Sequence, residues 1–355
     1  MARPFVTALV DTYNHEAMIG EAIASVLAQD FPPSEMEVLV VDDGSTDRTP
    51  EIVRQFAPRV RLIRKANGGQ ASAFNAGIAE ARGETVAFLD GDDWWSANKV
   101  TRVARVFAAS PEVGFVGHSI TEVLLDGSHR VDELREESRF QANSLEGARL
   151  FRTRKNFLGT SRMTVRRELL KRIVPVPEAL VIQADEYLFT LAAVLSVVVV
   201  LSEPLTFYRH HGSNFFIIST DDPAKVRSKL VVLQALSREL SERLRVLNVE
   251  PETRKSIVET VEIEARHLRL VVDGGWPWET VSTELQLMRI LHGDASIWQH
   301  LFSCARLIPA LAMPPRTYYR WRRRLQQASF YQRVRRKFFP FPVPSHVNRQ
   351  EKRVP

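Results

Sequence analysis

Cysteine is nearly absent from this chain, since Cys304 is the single one among 355 residues. One cysteine cannot form an internal disulfide, so the fold has to be held together by its apolar core, which 45% apolar residues are enough to build. Secreted proteins often use cysteine pairs, and their lack here indicates a cytoplasmic protein.

Long apolar runs are missing as well. The longest nearly uncharged stretch, residues 187–201, has 15 residues, whereas a helix needs roughly 20 to cross a bilayer. The sequence therefore predicts no transmembrane helix.

Acidic residues are scarce at the end of the chain. Residues 301–355 carry 13 Lys and Arg against one acid, Glu351, although the whole chain has a formal net charge of only +6. This segment is also rich in aromatic residues, which predicts an amphipathic tail that binds an anionic membrane surface on the cytoplasmic face. The alternative is a helical extension packed on the rest of the protein with a solvated basic face. Nucleic acid is not an expected partner, because no recognised binding module accompanies the charge.

Apolar strand-like runs alternate with amphipathic helical patterns over the first 110 residues. The runs are "FVTALV", "EVLVV", "VRLIR" and "TVAFL". Such alternation predicts an α/β fold with a mostly parallel sheet between layers of helices, and the chain becomes mainly helical from about residue 222.

A polar cluster follows each of these four runs. The clusters are "DTYN" (11–14), "DDGSTD" (42–47), "KANGG" (65–69) and "DGDD" (90–93). Ligands of such sheets bind at the carboxyl ends of the strands, so we expect the four clusters to converge on one edge.

The "DGDD" cluster predicts a cation site. The carboxylates of Asp90, Asp92 and Asp93 repel one another unless a cation or solvent compensates them. Closely spaced carboxylate oxygens, with no cysteine and no histidine pair nearby, favour Mg²⁺ or Mn²⁺ over zinc. Gly91 lets the backbone approach a ligand closely. The alternative is a solvated acidic loop, or Asp93 as the cap of a helix.

The "DDGSTD" cluster has a structural and a functional interpretation. Gly44 permits a sharp turn, and the residues after it can cap the next helix. A turn does not require Asp42 and Asp43, whose carboxylates can accept hydrogen bonds from a nucleobase or a ribose.

The ordered set "DTYN", "VVDDGSTD", "NGGQASAFNAGI" and "GETVAFLDGDDWW" resembles the signature of family 2 glycosyltransferases, which have the GT-A fold. The resemblance covers about the first 110 residues. It implies inverting transfer of a sugar from a nucleotide-diphosphate donor, assisted by Mg²⁺ or Mn²⁺. The family commonly has proline where this chain has Asp11.

The resemblance also implies roles for single residues. The nucleotide pocket is lined by Thr12, Tyr13 and Asn14, the base is held by Asp43 with Asp42 beside it, and the nucleotide is flanked by the stretch from Asn67 through Gly69 to Asn75. In the "DGDD" cluster, Asp90 faces the ribose and Asp92 binds the metal, with Gly91 between them and Asp93 adjacent.

A weaker resemblance extends into residues 111–214. "ADEYL" matches an acidic pair that the family has at the start of a helix, which makes Asp185 the candidate catalytic base and Glu186 the second candidate. In "FYRHHGSN", His211 is a candidate for the diphosphate or metal, and Arg209 for balancing the charge of the leaving group.

The resemblance marks a GT-A catalytic domain (1–220), and the sequence pattern and charge mark a helical region (221–300) and the basic, aromatic-rich tail (301–355). Within the catalytic domain, residues 1–110 are the nucleotide-binding half and 111–220 the acceptor-binding half. The expected function is transfer of a single sugar to a glycan or lipid-linked acceptor, in bacterial exopolysaccharide or cell-surface glycan synthesis. Two alternatives stay open: a non-catalytic GT-A-like scaffold, and a nucleotidyltransferase, against which the lack of a phosphate-binding GxxxxGK[ST] loop counts.

Overall fold

The computed structural model describes residues 5–131, 134, 136–211, 222–291, 304–305 and 307–327. The chain forms two compact units, of which the first comprises residues 1–212 and 239–257 and the second residues 213–238 and 258–355.

Ten strands of the described chain form one sheet in the first unit. They are β1 (Val6–Thr12), β2 (Met36–Asp42), β3 (Arg61–Arg64), β4 (Thr85–Asp90), β5 (Trp94–Trp95), β6 (Val113–Val123), β7 (His129–Val131), β8 (Ser138–Phe140), β9 (Thr164–Arg166) and β10 (Val197–Arg209).

The strand order is β3-β2-β1-β4-β9-β6-β10-β5, with β7 beside β6 and β8 beside β10. The first four strands are parallel, as are β6 and β10, whereas β9 runs antiparallel to both β4 and β6. In β1, Val6, Ala8, Leu9 and Val10 are all buried. Such a continuous apolar run is typical of a parallel strand covered on both faces.

Seven helices of the described chain belong to the first unit. They are α1 (Ile19–Leu27), α2 (Thr49–Arg54), α3 (Gly69–Glu80), α4 (Lys99–Ala109), α5 (Leu145–Arg154), α6 (Arg167–Ile173) and α7 (Ala184–Leu195). The buried side of α1, with Ile19, Ile23 and Val26, packs in one cluster with the residues of β1 and β2. The mostly parallel α/β arrangement predicted from the sequence is confirmed.

Four longer helices follow, and each begins at a proline: α8 (Pro223–Val246), α9 (Pro251–Val272), α10 (Pro277–Leu291) and α11 (Pro315–Gln327). Proline is favoured at the first helical position because its missing N–H would have no partner there. A 3₁₀ turn at Ile308–Leu311 precedes α11. The predicted helical C-terminal region is thus confirmed, while residues 301–303, 306 and 328–355 of the predicted tail lie outside the described residues.

No helix within the described ranges has the length and apolar character that crossing a bilayer requires.

The second unit contains a buried polar group. Glu284 of α10 is only 3% exposed and pairs with Arg322 of α11. His267 of α9 lies 3.6 Å from the same carboxylate, and its ring centroid is 4.4 Å from that of Tyr319. Burial alone would raise the pKa of Glu284, but Arg322 and His267 lower it to about 2.

Candidate active site

The four polar clusters meet at the carboxyl edge of the parallel strands. The register places Thr12 opposite Asp42 and Asp11 opposite Asp90. The backbone N–H of Gly91 donates to the carbonyl of Asp11 at 2.9 Å. This edge therefore collects side chains from β1, β2 and β4 in one place.

Three carboxylates of the "DGDD" cluster face one another. Asp90, Asp92 and Asp93 each have an oxygen within 4.8 Å of the others. Burial and neighbouring carboxylates raise the pKa of Asp90 and of Asp93 well above its usual value. One oxygen of Asp93 is buried and has no hydrogen-bond partner among the described residues. A partly buried set of carboxylate oxygens of this kind fits a hard divalent cation.

His211 and His15 lie beside this acidic cluster. His211 Nε2 is 2.8 Å from Asp92 Oδ2, and the two histidine rings are 6.5 Å apart. Burial opposes ionisation of Asp92, but the hydrogen bond to His211 and the charges of both histidines lower its pKa overall. His211 can therefore join Asp92 as a ligand, whereas the sequence reasoning missed His15.

Arg209 is tied to the loop that carries these acids. Its backbone N–H donates to Asp93 Oδ1 at 2.9 Å and its Nε donates to the carbonyl of Asp92 at 3.0 Å. The guanidinium lies 4.5 Å from the ring centroid of Trp94 and pairs with Glu21. These contacts link the end of β10 to the "DGDD" loop.

A buried lysine, Lys99, lies close enough to Asp93 to interact with its charge. No sequence motif indicated this residue. Lys99 of α4 is fully buried, its Nζ donates to the carbonyl of Ser161 at 2.9 Å, and it lies 4.1 Å from the ring centroid of Trp95. Burial lowers its pKa well below the usual value, although the charge of Asp93 opposes this.

Asp43 organises the glycine-rich loop before α3. Its carboxylate accepts hydrogen bonds from the backbone N–H of Gly68 and of Gly69, at 3.0 and 2.7 Å, and from Lys65 Nζ at 2.7 Å. Gly69 has φ +81°, a backbone conformation that favours glycine. Asp42 is fully buried and accepts from the backbone N–H of Ser45 at 2.9 Å.

The asparagines of the predicted pocket have different surroundings. Asn14 Oδ1 accepts from the backbone N–H of Thr46 at 2.8 Å, which fastens "DTYN" to "DDGSTD". Asn67 is exposed and Tyr13 half-buried at the same edge. Asn75 instead uses both ends of its amide on the backbone of Val176, at 2.8 Å each. The structure thus does not bring the Asn75 side chain together with the rest, and it fixes a distant segment.

Asp185 and Glu186 begin α7 but have different partners. Asp185 Oδ2 accepts from the backbone N–H and the hydroxyl of Thr160, both at 3.2 Å. Glu186 is buried in an ion pair with Lys155 at 2.7 Å. Burial, and then the charge of Glu186, raise the pKa of Asp185, whose own charge helps to raise the pKa of Asp11 and Asp90.

Residues of a 3₁₀ turn at Thr160–Arg162 contact both the "DGDD" cluster and Asp185. Ser161 Oγ accepts from the backbone N–H of Asp90 at 3.1 Å. Gln70 donates to Thr160 Oγ1 at 3.0 Å and accepts from the backbone N–H of Ala184 at 2.9 Å. These residues were missed by the sequence reasoning, because isolated Ser, Thr and Gln residues carry no spacing signal.

Comparisons with known proteins agree with this geometry. The sequence model described as Glycosyl transferase family 2 matches residues 7–173. An uncharacterised glycosyltransferase, alr2836 of Nostoc sp., is 36% identical over 217 residues, which are 59% of this chain and 66% of that protein. The matches to two further relatives span 30% and 61% of their lengths, so this chain matches only part of its relatives.

Two solved structures share the fold. Staphylococcus aureus TarS 1–349 in complex with UDP-GlcNAc has a TM-score of 0.53 at 21% identity, covering 89% of this chain and 91% of that one. The mannosyltransferase PcManGT of Pyrobaculum calidifontis, in complex with GDP-Man and Mn²⁺, also has a TM-score of 0.53 at 21% identity, covering 94% and 84%. Identity this low bears on the fold alone, and the predicted GT-A fold is confirmed.

Proposed function

This chain belongs to glycosyl transferase family 2, and on that premise we propose that it transfers a single sugar from a nucleotide-diphosphate sugar to a hydroxyl group of an acceptor, with inversion at the anomeric carbon. The observation that carries the proposal is the meeting of two acidic groups with different surroundings. One is the cluster of Asp90, Asp92 and Asp93, and the other is Asp185, held by Thr160.

Asp185 is assigned as the base that takes the acceptor proton. Near-neutral pKa favours such a transfer, and burial moves the pKa of Asp185 in that direction. Glu186 is already neutralised by Lys155, so its carboxylate is less suited to accept a proton. We therefore prefer Asp185 over Glu186 for this role.

The proposed transfer is a single displacement at the anomeric carbon. The acceptor oxygen forms a bond to the anomeric carbon while its proton passes to Asp185. The bond from that carbon to the diphosphate oxygen breaks, and the nucleoside diphosphate leaves with the electron pair. Such in-line attack gains most of its rate from positioning, which the bonds of Asp185 to Thr160 and of Thr160 to Gln70 support.

The acidic cluster is proposed to hold Mg²⁺ or Mn²⁺ through Asp92 and Asp93, with His211 as a further ligand. A bound divalent cation supplies charge that stabilises a diphosphate leaving group. Arg209 keeps the loop in place through the Asp92 carbonyl and the Asp93 carboxylate.

For the donor, we propose that the edge formed by Thr12, Tyr13, Asn14, Asp43 and the loop from Asn67 to Gly69 receives the nucleotide. The complexes of the two structural neighbours with UDP-GlcNAc and GDP-Man support donors of this class. Residues 111–220 are assigned to the acceptor, a glycan or lipid-linked sugar of a bacterial exopolysaccharide or cell-surface glycan.

A thermal-shift panel of UDP-, GDP-, dTDP- and CMP-sugars, with and without Mn²⁺, tests the proposal. A donor at about 100 times its Kd should add about 2.7 kcal/mol to the free energy of unfolding. We expect one donor to stabilise the protein. This stabilisation should require Mn²⁺ and should be lost in Asp92→Asn. Asp126→Asn, in an exposed turn where the carboxylate accepts hydrogen bonds from the backbone N–H and the hydroxyl of Ser128, is the matched control.

Two outcomes contradict the proposal. A folded protein that no donor stabilises would favour the scaffold alternative. Release of free diphosphate from a nucleoside triphosphate, without any sugar transfer, would favour the nucleotidyltransferase.

A further inference from the structure

Four large apolar side chains of the second unit are exposed to solvent. Trp276 and Trp278 are 71% and 66% exposed, and Ile308 and Leu311 are 66% and 64% exposed. Single exposed apolar residues are ordinary, but several large ones in one region mark a surface for a partner or a membrane.

Ile308 and Leu311 lie on the outward side of their 3₁₀ turn. Their neighbours Leu307 and Ala310 are buried in a cluster with residues of α9, α10 and α11. Residues three apart in a 3₁₀ turn point the same way. Since Leu307 and Ala310 point inward, Ile308 and Leu311 point together into solvent.

Trp276 lies in the turn between α9 and α10, and Trp278 lies in the first turn of α10. The backbone N–H of Trp276 donates to Glu279 Oε2 at 2.9 Å, and Arg269 holds the other oxygen of that carboxylate at 2.7 Å. Arg316 of α11 donates to the carbonyl of Val272, just before the turn. The first turn of α11 therefore lies against the segment that carries the tryptophans, and the 3₁₀ turn packs on α10.

The exposed face of α11 is basic. The helix contains five arginines and no acid. Arg316, Arg320 and Arg324 are four residues apart and exposed, so they form one stripe along the helix. Arg322 instead turns inward to Glu284.

We propose that these residues dock the protein onto an anionic phospholipid bilayer. The tryptophan–arginine surface consists of Trp276, Trp278, Ile308, Leu311, Arg316, Arg320 and Arg324. Tryptophan prefers the headgroup level, Ile and Leu enter the acyl boundary, and arginine contacts anionic headgroups while its stem lies along apolar groups. Charge complementarity selects an anionic membrane, and this docking is independent of the proposed catalytic function.

Flotation of the full chain with lipid vesicles tests the docking. We expect binding to phosphatidylcholine vesicles that contain phosphatidylglycerol, and much weaker binding to phosphatidylcholine alone. The double variant Trp276→Ala/Trp278→Ala should lower the partition coefficient about tenfold. Arg320→Gln/Arg324→Gln should lower it about tenfold or more, with a weaker dependence on salt.

Matched controls come from exposed residues elsewhere. Val231 of α8 is 61% exposed and the side chain of Arg54 in α2 is 54% exposed, so Val231→Ser and Arg54→Gln should bind vesicles like the wild type. Circular dichroism verifies that each variant is folded.

Three results would overturn the proposal. The first is the absence of vesicle binding by the wild type. The second is equal binding of all variants, which would assign any membrane affinity to other residues. The third is a lipid-free dimer that the tryptophan variant converts to a monomer, because the surface would then join two copies of the chain.

Discussion

Asp11 and Asp90 lie directly opposite each other at the carboxyl ends of the neighbouring parallel strands β1 and β4. Burial and surrounding carboxylates raise the pKa of both groups well above the usual value. One oxygen of Asp11 is buried and has no hydrogen-bond partner in the described part of the chain. Asp11 stands where the family commonly has proline, so this chain adds a further carboxylate next to the acidic cluster.

Asp11, Asp90 and Asp93 should make the metal-free protein less stable as pH rises, whereas the lowered pKa of Asp92 acts in the opposite direction. Because the folded-state pKa values of Asp11, Asp90 and Asp93 are raised, their contribution to stability is complete below the ordinary value of 3.8 and is lost as pH rises through the raised values. Asp11→Asn removes one of these charges and should raise the free energy of unfolding at neutral pH by about 1 kcal/mol. Thermal unfolding over a pH series without divalent ions measures this.

Mn²⁺ supplies the control for that series. It should remove most of the pH-dependent loss in the wild type and have a smaller effect in Asp11→Asn. A variant whose pH profile coincides with that of the wild type would show that Asp11 carries no excess charge.

The predictability of the site differs between its residues. The ends of β1, β2 and β4 could be placed from sequence, because apolar runs that stop at polar clusters specify strand ends, and parallel strands align those ends. The hydrogen-bond partners of the residues at these strand ends could not be predicted from sequence. Ser161 reaches Asp90 from 71 residues away, and Asn75 binds Val176 across 101 residues, contacts that depend on the path of the chain between elements.

Asp185→Asn should nearly abolish sugar transfer while leaving the donor bound. The amide can still accept from Thr160 but cannot take a proton, and general-base catalysis contributes about 10²- to 10⁴-fold. We expect kcat to fall by about 10³-fold with an unchanged KM for the donor, measured as nucleoside diphosphate release with acceptor present.

Glu186→Gln separates the two acids at the start of α7. It leaves Lys155, whose side chain is 13% exposed, without its counter-charge, so the variant should lose about 2 kcal/mol of stability but keep most of its kcat. The reverse pattern, with kcat lost in Glu186→Gln and kept in Asp185→Asn, would exchange the roles of the two acids.

Gly91→Ala should impair the "DGDD" loop. A Cβ at Gly91 would lie 2.7 Å from Thr12 Oγ1 and 2.8 Å from His15 Nδ1, so either the loop or these two side chains have to move. Displacement of a reacting group by about 1 Å can cost about 10²-fold in rate, and we expect a loss of that order in kcat/KM with weaker Mn²⁺ binding.

Gly20→Ala is the matched control for the added methyl group. Its Cβ would meet nothing closer than Ile52 at 3.7 Å, and since Gly20 is the second residue of α1, alanine there should change the free energy of unfolding by less than about 1 kcal/mol. Full activity of both glycine variants would contradict the close packing of Gly91 against Thr12.

Glu284 should make the second unit sensitive to acid. Its folded-state pKa of about 2 lies below the ordinary 4.5, so its contribution to stability is complete above pH 4.5 and is lost as pH falls toward 2. Glu284→Gln leaves Arg322 without its counter-charge and should cost about 3 kcal/mol of stability at neutral pH. It should also flatten the acid limb of the plot of stability against pH.

Glu242→Gln is the matched control. The side chain of Glu242 is 58% exposed, so this change should alter stability by less than about 0.5 kcal/mol. Equal acid profiles for the wild type and Glu284→Gln in chemical denaturation would mean that the Glu284–Arg322 pair does not stabilise the fold.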